Sequence, residues 1–257
     1  MPTLSELNVF SFDPKADVPS NLQTALKQLR AIEIIETIIK AKLESPSSLR
    51  SRLYFVNSRT GSGKSTLEIF LLSGIIGWFP DMPNLASSFS GTMTHSIYDG
   101  VNQILSDPDE YSWHEIFPDV TFKAREGTNS KDQTINVGKR KRFKSLTCRA
   151  INASLTGNTR CEYLLCADDM CSGIEEALNK DRLEKLWQVY NTDLKTRKKQ
   201  GCKELHIATR WSLHDVVGRL EQEYERDPRA RFIRFPALND DDESNFDYPY
   251  GLGYTTE

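Results

Sequence analysis

The sequence predicts an α/β fold, with a mostly parallel central sheet and helices on both faces. Three observations predict it. An apolar run at 53–56 leads through a glycine-rich loop into an apolar helix at 65–76. The stretch Tyr163, Leu164, Leu165, Cys166, Ala167 is apolar without interruption, which suits a strand covered on both faces. Strand-like runs at 203–208 and 231–235 are separated from their neighbours by helical periodicity, and parallel strands need such crossovers.

The remaining elements follow in order. Residues 1–18 carry no hydrophobic period and read as an arm. Between 22 and 43, apolar residues recur at helical spacing (Leu22, Leu26, Leu29, Ile32, Ile35, Ile38, Ile39, Leu43), predicting an amphipathic helix. Ser20 with Gln23 three residues on is a capping-box start, and Ser45-Pro46 stops the helix. A second strand is expected at 86–90 and a helix at 95–105. The stretch 120–153 alternates apolar and polar residues in short pieces, predicting antiparallel excursions with the basic run KRKR (139–142) at a hairpin tip. A single helix is expected over 175–200, stopped by Gly201, and another over 213–224, with Ser212 as its cap and Asp215 three residues later. The predicted organisation is an N-terminal arm and helix at 1–48 packed on the core, a core at 49–238 and an acidic linker at 239–257.

Composition narrows the class. A chain of 257 residues, 38% hydrophobic and 27% charged, can bury a sizeable core, and no apolar stretch approaches the ~20 residues of a membrane span. The first residues lack the basic-then-apolar pattern of a signal peptide, so a reducing cytosol is expected. The five cysteines show no CxxC spacing, which points to buried thiols rather than a disulfide framework or a zinc site. Net charge is -3, which excludes a generally basic nucleic-acid binder. The charge is segregated, however: five carboxylates lie within 239–247 with no base, so the rest of the chain is net positive, with basic runs at 139–142 and 197–199.

The stretch NSRTGSGKST at 57–66 carries the strongest chemistry. Residues 58–65 (Ser58, Arg59, Thr60, Gly61, Ser62, Gly63, Lys64, Ser65) follow the phosphate-loop pattern G-x-x-x-x-G-K-[ST], with Ser58 in place of the first glycine. Such a loop turns backbone N–H groups inward at a helix N-terminus, sends a lysine to the outer phosphates and sets a hydroxyl on Mg²⁺. Gly61, Gly63, Lys64 and Ser65 supply these groups, with Thr66 next to them. Ser58 is tolerable if its φ stays negative, since the first glycine mainly eases a turn. A phosphate loop also needs a carboxylate at a neighbouring strand end for Mg²⁺ and, for hydrolysis, an acid that orients water. Asp168 and Asp169 end the most apolar strand, so Asp168 fits the metal and Asp169 the catalytic role. A simple Asp-Asp helix cap is the bland alternative, and Glu175 and Glu176 are the runner-up acids. Thr209, Arg210 and Trp211 end the next strand, where a hydroxyl can sense the γ-phosphate and move the following helix. Trp211 can equally be a core aromatic.

Together these segments, with NASLTG at 152–157, EEALNKDRLEKLWQVYNTDLKTR at 175–197, TRW…HDVVGRL and RFPAL, resemble the ATPase region of the large terminase subunit of tailed bacteriophages. The resemblance covers roughly 50–240. It implies a P-loop NTPase of the additional-strand (ASCE) type, with ATP and Mg²⁺ as cofactors, that drives double-stranded DNA into a procapsid. It makes Lys64 and Ser65 nucleotide and Mg²⁺ ligands, Asp168 the Walker B acid, Asp169 the catalytic carboxylate, and Thr209 with Arg210 the coupling motif. It implies a portal protein and a terminase small subunit as partners, a homo-oligomeric ring (a pentamer) or a monomer in isolation, and the host cytoplasm, transiently the portal vertex, as the location.

Two departures from the family stand out. The family's loop arginine usually holds the third of the eight places; here Arg59 holds the second and Thr60 the third. The chain also stops where the family's nuclease would begin, so ATP hydrolysis without DNA cleavage is expected. Arg160, before the Asp168 strand, resembles the region that holds the arginine acting across subunits, with Arg149 as second choice. Gln23 is a candidate adenine contact, against its reading as a cap. For DNA phosphates the candidates are GKRKRF at 138–143 and Lys195, Arg197, Lys198 and Lys199. The rival functions are a nucleotide-binding assembly module and a helicase-like translocase.

Overall fold

The computed structural model describes residues 53–58, 63–153, 159–245, 247–248 and 252–253. The expected helix at 22–43, with Gln23, and the loop residues Arg59, Thr60, Gly61 and Ser62 lie outside the described residues.

The first strand, β1 (Leu53–Ser58), ends in the loop that opens α1 (Lys64–Trp78). β2 (Asn84–Ser88) then leads into α2 (Gly91–Ser106), which Ser90 caps by accepting the Met93 N–H. Two one-turn helices follow, α3 (Trp113–Ile116) and α4 (Ala124–Gly127), then the short strands β3 (Thr128–Asn129) and β4 (Thr134–Ile135), and β5 (Leu146–Ala150). β6 (Leu164–Asp168) is buried along its whole length. After α5 (Ile174–Ala177) and α6 (Lys180–Val189) come β7 (Lys203–Ala208), α7 (Val216–Tyr224) and β8 (Ala230–Phe235). A two-stranded hairpin pairs β9 (Asp247–Tyr248) with β10 (Leu252–Gly253).

One sheet orders its strands β3-β4-β5-β2-β6-β7-β1-β8. The six strands from β5 to β8 run parallel, and β3 and β4 add an antiparallel edge. The expected α/β architecture with a mostly parallel sheet is therefore present. β7 lies between β1 and β6. Alternate residues of β6 feed two cores: Leu164 and Cys166 pack with α1 and α2, Leu165 and Ala167 with Tyr190, Leu194 and α7. Both faces are thus covered by helices, which is why this strand reads as uninterrupted apolar sequence. All five cysteines are buried free thiols. No helix among the described residues is long and apolar enough to cross a membrane.

Three expectations need correction. The helix expected over 175–200 is interrupted: Asn179 starts α6 by accepting the Arg182 N–H, and the chain then widens into a π turn (Tyr190–Leu194) and a 3-10 turn (Lys195–Arg197). Tertiary contacts override the helical period here. The Tyr190 hydroxyl donates to the buried Glu204 carboxylate at 2.6 Å, and Tyr190 and Leu194 are both fully buried against the sheet. Gly201, at φ 87°, turns the chain into β7 rather than capping a helix. Within 120–153, only β4 against β5 and β3 against β4 are antiparallel; β5 joins the main sheet parallel to β2. The run at 139–142 does lie in the β4–β5 connection. At α7 the cap is Asp215 itself, not Ser212, which instead accepts the His214 N–H.

Candidate active site

The site forms where α1 starts and where β6 and β7 end. Ser58 is the last residue of β1 and pairs with Phe235, so its backbone is extended and needs no glycine there. Gly63 does take the left-handed conformation (φ 87°) immediately before α1, where a side chain would be strained. Lys64 and Ser65 open the helix beside the parallel strand ends, the edge of an α/β sheet at which ligands bind.

Three chain-distant segments meet there. Lys64 Nζ donates to Thr209 Oγ1 at 3.1 Å, and Ser65 Oγ donates to Asp168 Oδ2 at 3.0 Å. The Thr209 N–H donates to Asp169 Oδ1 at 2.7 Å, and the Asp169 N–H donates to the Ile207 carbonyl. Asp169 sits at φ 39°, a conformation that Asp tolerates better than most residues. Of the residues predicted for the site, Lys64, Ser65, Asp168, Asp169 and Thr209 are brought together; Thr66 follows on α1.

The electrostatics of the site suit a cation. Burial pushes the Asp168 carboxyl up to about 7, helped by the charge of Asp169 and opposed by Ser65 and Lys64. Burial also raises Asp169, against the Thr209 N–H and Lys64, and lowers Lys64 against the pull of the two aspartates. One lysine thus compensates two crowded carboxyls. The second Asp168 oxygen is buried with no hydrogen-bond partner, which suits a hard, oxygen-seeking ion such as Mg²⁺. Ser65 and Asp168 are the side chains that would hold it.

Beyond Thr209, contacts run on to α7. Arg210 pairs with Glu221 of α7, which also meets Arg234 at 3.4 Å. Asp215, 4% exposed, accepts from the N–H groups of Trp211, Ser212 and Gly218, so it ties the β7–α7 turn to the helix start. Trp211 is partly exposed rather than a core aromatic. Asp215→Ala is expected to cost about 1–2 kcal/mol through the lost cap, lowering the melting temperature by several degrees. Asp215→Asn should recover part of this in the same thermal melts, because one side-chain oxygen remains.

Glu176, a runner-up acid, accepts the Ser172 N–H and is a local cap; Glu175 is exposed. Arg160 precedes β6 at its N-terminal side, the opposite end of the strand from Asp168, and pairs with Glu162 at 2.9 Å. It therefore lies away from the Asp168 end of its own chain. Arg149 of β5 is in register with Ser87, one step from the Ser88–Asp168 pair, so it lies toward the Asp168 end, paired with Asp132 at 3.4 Å.

Sequence reasoning missed two acids. Glu68 is fully buried beside Asp168 and Cys166, and burial, with the charge of Asp168, pushes its carboxyl well up. It lies one helical turn after Lys64, a spacing that could have flagged it. Glu221 had no local signal, because its partner Arg210 is brought to it only by the fold. No protein-family model and no curated protein matches the chain.

Proposed function

We propose that the chain is the ATP-hydrolysing motor domain of a viral terminase large subunit, a P-loop ATPase of the additional-strand type that moves double-stranded DNA into a procapsid. The observation that carries this reading is the convergence of Lys64 and Ser65 with Asp168, Asp169 and Thr209 at the C-terminal ends of adjacent strands. The strand between β1 and β6 supports the additional-strand assignment. The motifs quoted above support the terminase reading, and with it a portal protein, a small subunit, a ring of copies and the host cytoplasm.

On this reading Lys64 neutralises the outer phosphates of ATP, exchanging its contact with Thr209 for them. Ser65 and Asp168 hold Mg²⁺, which when bound would draw charge from the phosphate oxygens. Asp169, fixed by the Thr209 N–H, orients the attacking water and takes its proton. Thr209 senses whether Lys64 has left it, and Arg210 passes that change to α7 through Glu221.

The test is phosphate release from ATP by the purified chain with Mg²⁺, with and without duplex DNA. Turnover stimulated by DNA is expected; failure of the protein to bind any nucleoside triphosphate would end the reading. Arg160, away from the Asp168 end of its own chain, would act across a subunit boundary. Mixed rings of Arg160→Ala and Lys64→Ala subunits are therefore expected to regain activity that neither variant has alone. No regain on mixing would remove Arg160 from the role.

A further inference from the structure

The sheet's antiparallel edge carries a second site. β4 and β5 turn Ile135, Leu146 and Cys148 into the core beneath α1 and α2. The opposite face of the same strands presents Thr134, Thr147 and Arg149, since side chains alternate along a strand. Over β2 and β6 that face is covered by the Tyr190–Leu194 turn and α7, whose core includes Leu85 and Leu165. At β3, β4 and β5 it forms instead an open trough of about 770 Å³.

Every described residue lining this trough is charged, polar or glycine. Five are cations: Lys123, Arg140, Arg142, Lys144 and Arg149. Two of these are matched within it, Lys123 by Glu126 at 3.9 Å and Arg149 by Asp132 at 3.4 Å. Arg140, Arg142 and Lys144 have no carboxylate partner among the described residues, so the walls hold a surplus of positive charge. Threonine and asparagine side chains on the floor add neutral groups that hydrogen-bond phosphate oxygens.

Three of the four cations of the other basic run, Lys195, Lys198 and Lys199, are already engaged. Lys198 pairs with the buried Glu204, Lys199 with Glu162 at 2.8 Å, and Lys195 lies over the Tyr190 ring. Within 139–142, Lys141 is also turned inward, to the Pro80 carbonyl and Ser145. That leaves Arg140, Arg142 and Lys144 without a carboxylate partner among the described residues, Arg142 lying over the Phe143 ring and Lys144 donating to the Lys141 carbonyl at 3.2 Å.

We propose that the trough binds the phosphodiester backbone of a DNA duplex without reading its bases. None of the described lining residues is aromatic, which disfavours stacking of unpaired bases within the trough. A duplex presents its phosphates outward and keeps its bases inside, and binding through phosphate alone is independent of sequence. The site deepens the motor reading by giving DNA a track, yet it is tested without nucleotide, so failure of the ATPase and failure of the trough are separable.

The experiment is a fluorescence-anisotropy titration of a short labelled duplex of arbitrary sequence against the native chain and the variant Arg140→Gln/Arg142→Gln/Lys144→Gln, over about 50–200 mM salt. Loss of three phosphate contacts is expected to reduce the slope of log affinity against log salt by about 3, and to weaken all sequences alike. The control Lys195→Gln/Lys199→Gln should bind as the native chain does, and unchanged thermal melts show that both variants fold. An unchanged slope in the triple variant overturns the proposal. So does single-stranded DNA binding as tightly as duplex, or inorganic phosphate displacing the duplex where chloride at equal ionic strength does not, which would make the trough a small-anion site.

Discussion

Alanine at Lys64 is expected to reduce ATP turnover by about 10²–10³-fold, the cost of removing one charged donor from a transferring phosphoryl group. The loss should be accompanied by weaker nucleotide binding, read by titration with a fluorescent ATP analogue. In the resting site the ammonium group is the counter-charge of two buried carboxyls, and it holds Thr209 by a hydrogen bond. Its removal therefore does two things at once. It takes a positive charge away from the phosphates, and it leaves Asp168 easier to protonate and so a poorer Mg²⁺ ligand near neutral pH. The second effect gives the variant a signature of its own: raising pH, which ionises Asp168, should restore part of the Mg²⁺-dependent binding but not the turnover. A variant that binds and hydrolyses as the native protein does would show that Lys64 only fills the start of α1.

The sheet and the site were legible to different degrees. β6 was readable because burial on both faces forces an unbroken apolar run, and β7 because Leu205, Ile207 and Ala208 are buried in its short run just before Thr209. The start of α1 was readable because its signals are local: Gly63, Lys64 and Ser65 are consecutive. What crosses the chain was not readable. The partner of Arg210 is Glu221, set by how α7 folds back, and Asp215 looked like an ordinary third-position acid while it gathers three N–H groups. The break at Asn179 and the π turn at Tyr190 were hidden for a related reason. The helical period there is real, but a buried hydrogen bond to Glu204 fixes Tyr190 more strongly than propensity directs the chain. The basic runs show the same limit, since composition weighs 139–142 and 195–199 equally and only packing shows which cations are already paired.

Asparagine at Asp169 is expected to reduce turnover by about 10²–10⁴-fold, the usual contribution of a positioned acid or base, with ATP affinity changed little. The substitution separates charge from geometry better than alanine does. Asp169 holds a positive φ of 39°, which asparagine tolerates and alanine resists. The asparagine carbonyl oxygen can still accept the Thr209 N–H that Asp169 Oδ1 accepts at 2.7 Å, so the link between the strand ends survives. What disappears is the negative charge that takes a proton from water. Phosphate release and equilibrium ATP binding, measured on the same preparation, then divide the two classes of function. A motor loses hydrolysis and keeps binding, becoming a trap for ATP with Lys64 drawn off Thr209. A module that binds nucleotide only to set an interface loses neither, because it never needs the water activated. Native turnover in Asp169→Asn would therefore remove Asp169 from catalysis; the motor reading would then survive only if turnover fell on replacing another acid of the site, with Glu68, one turn beyond Lys64, the first to test.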